Sequence, residues 1–138
     1  MSNANKMVKE LLRLGTYLQR EGARVTREFG LTQQQFVILV AIKEQGPISQ
    51  KGITSELLYE KSSVSKCVTR LLSLELVKIS RDKDDSRVAI CRITDKGRDV
   101  VEKCMNIMKF WNDDWLQSIP DSELHNVVKI LETIGPMK

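Results

Sequence analysis

The chain has 138 residues, 41% apolar and 29% charged, which suits one compact subunit with a real core and argues against wholesale disorder or a two-domain enzyme. Its longest apolar run, Phe36 to Ile42, is far short of the about 20 residues a membrane span needs, and no apolar secretory stretch follows Met1, so no membrane association and a cytoplasmic location are expected. The formal charge of +4 is uneven, net +3 over residues 1–48, +4 over 49–98 and −3 over 99–138, which suggests a polyanion-facing surface that leaves out the C-terminal segment.

Residues 6–29 carry Val8, Leu11, Leu12, Leu18, Val25 and Phe29 among many charges. That reads as a long amphipathic helix, with Gly22 as a candidate break and Gly30 as its stop. Leu31-Thr32-Gln33-Gln34-Gln35-Phe36 then opens a second helix. Thr32 can cap it, Gln35 can reach back, and Leu31 can staple to Phe36. This helix is expected to run to about Gln45 and stop at Gly46-Pro47. Ser49 caps a short third helix that ends near Tyr59, and Ser62 or Ser63 opens a fourth. The apolar residues of the fourth, Val64, Cys67, Val68, Leu71 and Leu72, follow the spacing of a half-buried helix.

From Leu76 the period changes to that of strands. Residues 76–80 and 88–93 are rich in β-formers and flank the charged stretch Arg81-Asp82-Lys83-Asp84-Asp85-Ser86-Arg87, an antiparallel hairpin with a charged tip. Thr94 caps a long helix through Trp115. Pro120-Asp121 opens a last one with Leu124, Val127, Val128, Leu131 and Ile134 on one face. The fold class is therefore mainly α with a small β-hairpin wing: a winged helix-turn-helix over residues 31–98, flanked by dimerisation helices in 1–30 and 99–138.

A recognition helix must bury one face and offer small or donor-rich side chains to the major groove. Between the apolar positions of the fourth helix lie Ser62, Ser63, Ser65, Lys66, Thr69, Arg70 and Ser73, none of them acidic. The serines suit the DNA backbone, where the helix dipole and free N–H groups favour phosphate. Lys66, Thr69 and Arg70 suit base edges. On the hairpin tip, Arg81, Lys83 and Arg87 are candidates for the minor groove. The neighbouring acids must be partly paired to be tolerated there, and Asp85 is the expected support for Arg87.

The motifs Leu31-Thr32 with Gln35-Phe36, Gly46-Pro47-Ile48-Ser49-Gln50-Lys51, Ser62-Ser63-Val64-Ser65, Asp85-Ser86-Arg87 and Ile93-Thr94-Asp95-Lys96-Gly97 resemble the MarR family of bacterial and archaeal regulators, in order and spacing from about residue 31 to 98. The resemblance implies a homodimer that binds a pseudo-palindromic operator in double-stranded DNA, usually as a repressor, with release by small ligands, metal or thiol oxidation in many members. It also implies that 62–73 is the recognition helix, that Ser49, Gln50 and Lys51 join the DNA contacts, and that Arg87 is the wing arginine. The chain departs from the pattern at Glu75, where glycine is usual, at Ile79, where arginine is common in the first strand, and at Ser86, which replaces a second wing arginine. At Glu75 the helix must close without an easy left-handed residue.

Trp111 and Trp115 share a helix face, as core or interface residues or as the wall of a pocket for a small aromatic or other apolar effector. The terminal helices either pair across a dimer or pack on each other within one chain. Cys67, Cys91 and Cys104 have no C-x-x-C spacing and read as reduced thiols, with Cys67, on the apolar stripe of the fourth helix, and Cys91, in a strand, read as buried and inert. His125 is the sole histidine, so no metal site is expected. No phosphate loop or nucleophile motif occurs, so neither an enzyme nor a cofactor is expected. The alternative function is a winged helix used for protein contacts or RNA, without operator specificity.

Overall fold

A computed structural model describes residues 1–135; the expected C-terminal dimerisation segment, 99–138, extends three residues beyond them. In chain order the elements are α1 (Asn3–Arg27), α2 (Gln33–Gln45), β1 (Ile48–Ser49), α3 (Gln50–Leu57), α4 (Lys61–Ser73), β2 (Val77–Arg81), β3 (Ala89–Ile93), α5 (Asp95–Trp115) and α6 (Asp121–Thr133). No helix among the described residues is long and apolar enough to cross a membrane.

The core forms around α2, whose Phe36, Ile38, Leu39, Ala41 and Ile42 are all buried. A helix apolar on nearly every side has to be surrounded. Val25 and Leu31 cover it, with Ile53 of α3, Val64, Val68 and Leu71 of α4, and Val101 and Cys104 of α5. Its start is fixed locally: Thr32 Oγ1 accepts the Gln35 N–H at 3.1 Å, and Gln35 Oε1 accepts the Thr32 N–H at 2.9 Å. Leu31 and Phe36 on either side of that capping box are both buried, the arrangement of a hydrophobic staple.

Three sequence-based expectations need correcting. Helix α1 does not break at Gly22 but runs through to Arg27. Gly22 serves a different purpose, because a Cβ there would collide with the Gln33 side-chain amide, so it lets the start of α2 lie close against α1. The sheet has three strands, in the order β1-β3-β2, rather than the two of a bare hairpin. Ile48 pairs with Cys91 and Ser49 with Ile90 just before Ser49 caps α3, so β3 is central and Cys91 is fully buried. Finally, α4 starts ahead of both serines, at Lys61, with Glu60 as an extended N-cap lacking a side-chain bond. The Glu60 carbonyl accepts the Val64 N–H at 3.0 Å, so the turn that brings Val64 into the core forms before either serine could cap it.

The departure at Glu75 is absorbed by the backbone. Glu75 takes the left-handed conformation, φ 61°, at the cost a side chain incurs there. Its N–H donates to the Leu72 carbonyl, and the Leu76 N–H donates to the Leu71 carbonyl, both at 3.0 Å. Those two bonds and the buried Leu71 and Leu76 make a Schellman closure, in which apolar contact offsets the strain.

The end of α4 is then fastened to the start of α5. The Thr94 N–H donates to the Leu76 carbonyl at 3.0 Å, and Thr94 Oγ1–H to the Glu75 carbonyl at 2.8 Å. Lys96 Nζ donates to the Leu74 carbonyl at 3.0 Å, while Thr94 Oγ1 accepts the Gly97 N–H to cap α5.

By contrast α6 buries no residue, and Val127, Val128, Ile130, Leu131 and Ile134 remain exposed. The first half of α1 (Val8, Leu11, Leu12) and Phe110 of α5, 75% exposed, are also bare.

Candidate nucleic-acid interface

The sequence Lys61-Ser62-Ser63-Val64-Ser65-Lys66-Cys67-Val68-Thr69-Arg70-Leu71 divides by helical period into two faces. Val64, Cys67, Val68 and Leu71 are buried, 0–7% exposed, while Ser62, Ser65, Lys66, Thr69, Arg70 and Ser73 are exposed. Ser63 lies on the boundary, half-buried. Because the helix begins at Lys61, Ser62 and Ser63 sit inside its first turn, where backbone N–H groups have no intrahelical acceptor.

Two hydroxyls on the outer face are already engaged. Thr69 Oγ1 donates to the Ser65 carbonyl at 3.0 Å, and Ser73 Oγ donates to the Arg70 carbonyl at 2.6 Å. In this state both present lone pairs outward, so Thr69 is suited to accept from a base amino group rather than to donate. That shift of role was not readable from residue type.

Arg70 stands apart from Lys66 and Thr69. It lines an open concavity of about 420 Å³ together with Arg27, Gly30, Thr32, Gln33 and Gln35 from the α1–α2 junction. Arg27 carries no signal in the linear pattern beyond being a cation near a helix end. The register of the hairpin brings out a second unanticipated pair, Lys78 directly opposite Arg92, both exposed. Like charges across strands oppose pairing, and Arg92 Nε turns instead to Ser80 Oγ at 3.3 Å.

Ser49, Gln50 and Lys51 open α3 beside the sheet. Ser49 is half-buried, and its Oγ accepts the Gly52 N–H at 3.0 Å; Gln50 is half-buried and Lys51 exposed. The α3–α4 turn, Leu58 to Glu60, includes Leu58 in the left-handed region, φ 60°. Tyr59 in that turn and Cys67 beneath it both have their pKa raised, chiefly by burial.

At the wing tip Arg87 grips Asp85 with two side-chain bonds, Nε to Oδ1 at 3.0 Å and Nη2 to Oδ2 at 3.1 Å, and its backbone N–H also donates to Oδ1. The side-chain bonds first, then the backbone bond, hold the Asp85 carboxyl below its ordinary range. Asp82 accepts the Asp84 N–H at 3.1 Å, and its own N–H donates to the Val88 carbonyl. Two of the three wing acids therefore shape the loop, while Arg81, Lys83 and Arg87 stay exposed, the Arg87 side chain at 88%.

Away from this surface, Trp111 and Trp115 line a cavity of about 200 Å³ with Tyr17, Leu18, Val25 and Met108. The Tyr17 and Trp115 rings lie 5.4 Å apart and tilted. Gln33 closes one side, its Oε1 buried without a hydrogen-bond partner. No group of three or more His, Cys, Asp or Glu among the described residues is arranged to hold a metal ion. The three cysteines are free and buried.

Residues 31–89 match the model of the MarR family. The chain is similar to the HTH-type transcriptional regulator MgrA of Staphylococcus aureus, 26% identical over 83 residues, which are 60% of this chain and 56% of that relative, little more than half its length. Among solved structures it superposes on the transcriptional regulator BldR of Sulfolobus solfataricus with a TM-score of 0.80 and 24% identity, covering 97% of this chain and 100% of that one. BpsR of Bordetella bronchiseptica, whose DNA binding is regulated by 6-hydroxynicotinic acid, superposes with a TM-score of 0.83 and 20% identity over 100% and 99% of the two chains.

Proposed function

The chain belongs to the MarR family of winged-helix transcriptional regulators, and on that premise we propose that it binds a specific DNA operator as a homodimer and represses transcription. The observation that carries this reading is the division of α4. Its hydrocarbon side is sealed in the core, and its outer side offers hydroxyls and cations without one carboxylate from Lys61 to Ser73. A protein-contact helix has no need of such a face, whereas a major groove lined by phosphates and base edges does.

Lys66 and Thr69 reach base edges, Ser62, Ser63 and Ser65 approach the backbone, and Ser49, Gln50 and Lys51 meet a neighbouring phosphate from the start of α3. The wing enters the minor groove through Arg87, steadied by Asp85, with Arg81 and Lys83 beside it. One such module reads half a site. The bare faces of α1, α5 and α6 supply the pairing surface, so that 1–30 and 99–138 are the dimer segments and 31–98 the DNA-binding region. Two-fold pairing then sets the recognition helices about 34–36 Å apart, one turn of DNA. Repression follows from occupancy, since a dimer filling successive grooves excludes other proteins from that duplex. The Trp111–Trp115 cavity takes a small aromatic or apolar effector between the dimer helices and α2, a reading supported by its apolar walls and by the ligand control of the similarly folded BpsR.

Selection from a randomised duplex pool, followed by binding measurements, tests the function. A single sequence class should be enriched, and Lys66→Ala should cost about 1–3 kcal/mol on it while relaxing preference at a few positions. A pool that emerges unenriched would reject operator recognition in favour of a protein-contact or RNA-binding module.

A further inference from the structure

We infer that Arg27 and Arg70 form a clamp for one phosphate of the DNA backbone beside the groove that α4 enters, so that Arg70 positions the protein instead of reading a base. The inference rests on the DNA-binding function proposed above and assigns Arg27 to that surface.

Both guanidinium groups are exposed, and neither has a hydrogen-bond or ion-pair partner among the described residues. Arg13, Arg20, Arg24, Arg87 and Arg98, by contrast, each lie within 3.5 Å of a carboxylate oxygen. Arg27 comes from the last turn of α1 and Arg70 from the last turn of α4, so residues 43 positions apart in sequence line the same concavity. No carboxylate lines it. Two cations brought into one hollow without a counter-charge repel each other, and an oxyanion between them removes that cost. A guanidinium presents its N–H groups in a fork that fits phosphate oxygens.

The remaining walls suit the same ligand. Gln35 uses its Oε1 on the Thr32 N–H, which leaves its amide N–H₂ to donate. Thr32 and Gln33 belong to the start of α2, where the helix dipole adds positive potential. The source of the phosphate follows from position: Arg70 lies one turn along α4 from Lys66 but on the flank beside the α1–α2 junction. From there it meets the rim of a groove rather than its floor. A bland role, each arginine merely offsetting the negative end of its own helix, would give stability without any DNA effect.

The test is fluorescence anisotropy of the full chain on a random-sequence duplex and on a pool-selected duplex, across a salt series. Arg27→Ala and Arg70→Ala should each weaken binding by the same factor on both duplexes. The double variant should flatten the slope of log affinity against log salt by about 1.8 for the bound dimer, the value of one phosphate contact in each of its two subunits. Lysine at both positions should restore most of the slope. A methylphosphonate at the contacted position should abolish the effect of Arg27→Ala. Unchanged slopes with a lowered melting temperature would assign both arginines to helix ends and overturn the clamp. A loss confined to the selected duplex would make Arg70 a base reader, and a flattening near twice the expected value would mean two separate phosphates for each subunit. Inorganic phosphate that protects the unmodified protein from thermal unfolding, but not the double variant, would give the site to a free oxyanion instead. Failure of the unmodified protein to bind any duplex would remove the function and the clamp together, whereas duplex binding indifferent to both arginines would remove the clamp alone.

Discussion

Gly97, the third residue of α5, packs directly against the Leu76 carbonyl, so closely that a Cβ would overlap the oxygen and also lie 2.8 Å from Ile93 Cγ1. That oxygen cannot swing away, because it accepts the Thr94 N–H at 3.0 Å. Gly97→Ala should therefore destabilise the subunit by about 1–3 kcal/mol, the usual cost of overpacking. Urea denaturation checks this, and a change near zero would mean that α5 can slide along the hairpin.

The second expectation concerns the sign of an effect at the wing. The Asp85 carboxyl is held below its ordinary value of 3.8, first by the Arg87 side chain and then by the Arg87 backbone N–H. A carboxyl lowered on folding stabilises the folded form above its unfolded pKa, and that contribution fades as pH falls through the lowered value. In an NMR titration Asp85 should stay ionised through the normal carboxylate range, and Arg87→Ala should bring its midpoint back up. Asp85→Asn removes a negative charge yet should weaken duplex binding at neutral pH, because the guanidinium loses its support. Tighter binding would show that charge outweighs orientation.

A third expectation lies at alkaline pH. Cys104 is fully buried, and burial, followed by the charge of Glu28, pushes its thiol up from 9.0 to about 11. Between those values the unfolded chain releases the proton while the folded chain keeps it, so stability falls as pH rises above 9. Burial raises Cys67 and Cys91 in the same direction. Cys104→Ala should reduce, without abolishing, the alkaline fall in the urea midpoint. Thiol reagents should label none of the three at neutral pH until the protein unfolds, and rapid labelling of the native state would contradict that burial.

Fourth, α6 is expected to act between subunits. Since it buries nothing within its own chain, Val128→Asp with Leu131→Asp should leave the helical signal and the cooperative unfolding of the monomer intact. The same change should shift sedimentation from dimer to monomer. A variant that still sediments as a dimer would move the interface to α1 and α5 alone.

The parts of this fold legible in the sequence are those fixed within a few residues. Thr32 with Gln35, and Thr94 with the glycine three positions on, announce helix starts whose hydrogen bonds close locally. The period of Val64, Cys67, Val68 and Leu71 marks the inner face of α4 for the same reason. What stayed hidden depends on distant partners. Two residues at Ile48–Ser49 are too short to show a strand pattern, and only Cys91 and Ile90 across the sheet make them one. Ser62 and Ser63 look like caps, but the pull of Val64 into the core starts the helix sooner. Glu75 looked like a defect because its compensation, Leu71 against Leu76, is tertiary. Among the candidate contacts, residue type showed which side chains can bond; it could not show that Thr69 and Ser73 spend their protons on their own helix. Nor could it show that Arg70 would find itself beside Arg27.

The fastening of Leu74, Glu75 and Leu76 to Thr94 and Lys96 also decides how force travels. Three hydrogen bonds at that corner tie the end of α4 to the start of α5, a rod of 21 residues and about 32 Å. Through those bonds a tilt at the far end of the rod, near Trp111 and Trp115, would carry α4 with it, as an oar carries its blade. In the dimer proposed above, a few degrees there would become ångströms at the duplex, so the spacing between two blades would be set by the angle between two shafts.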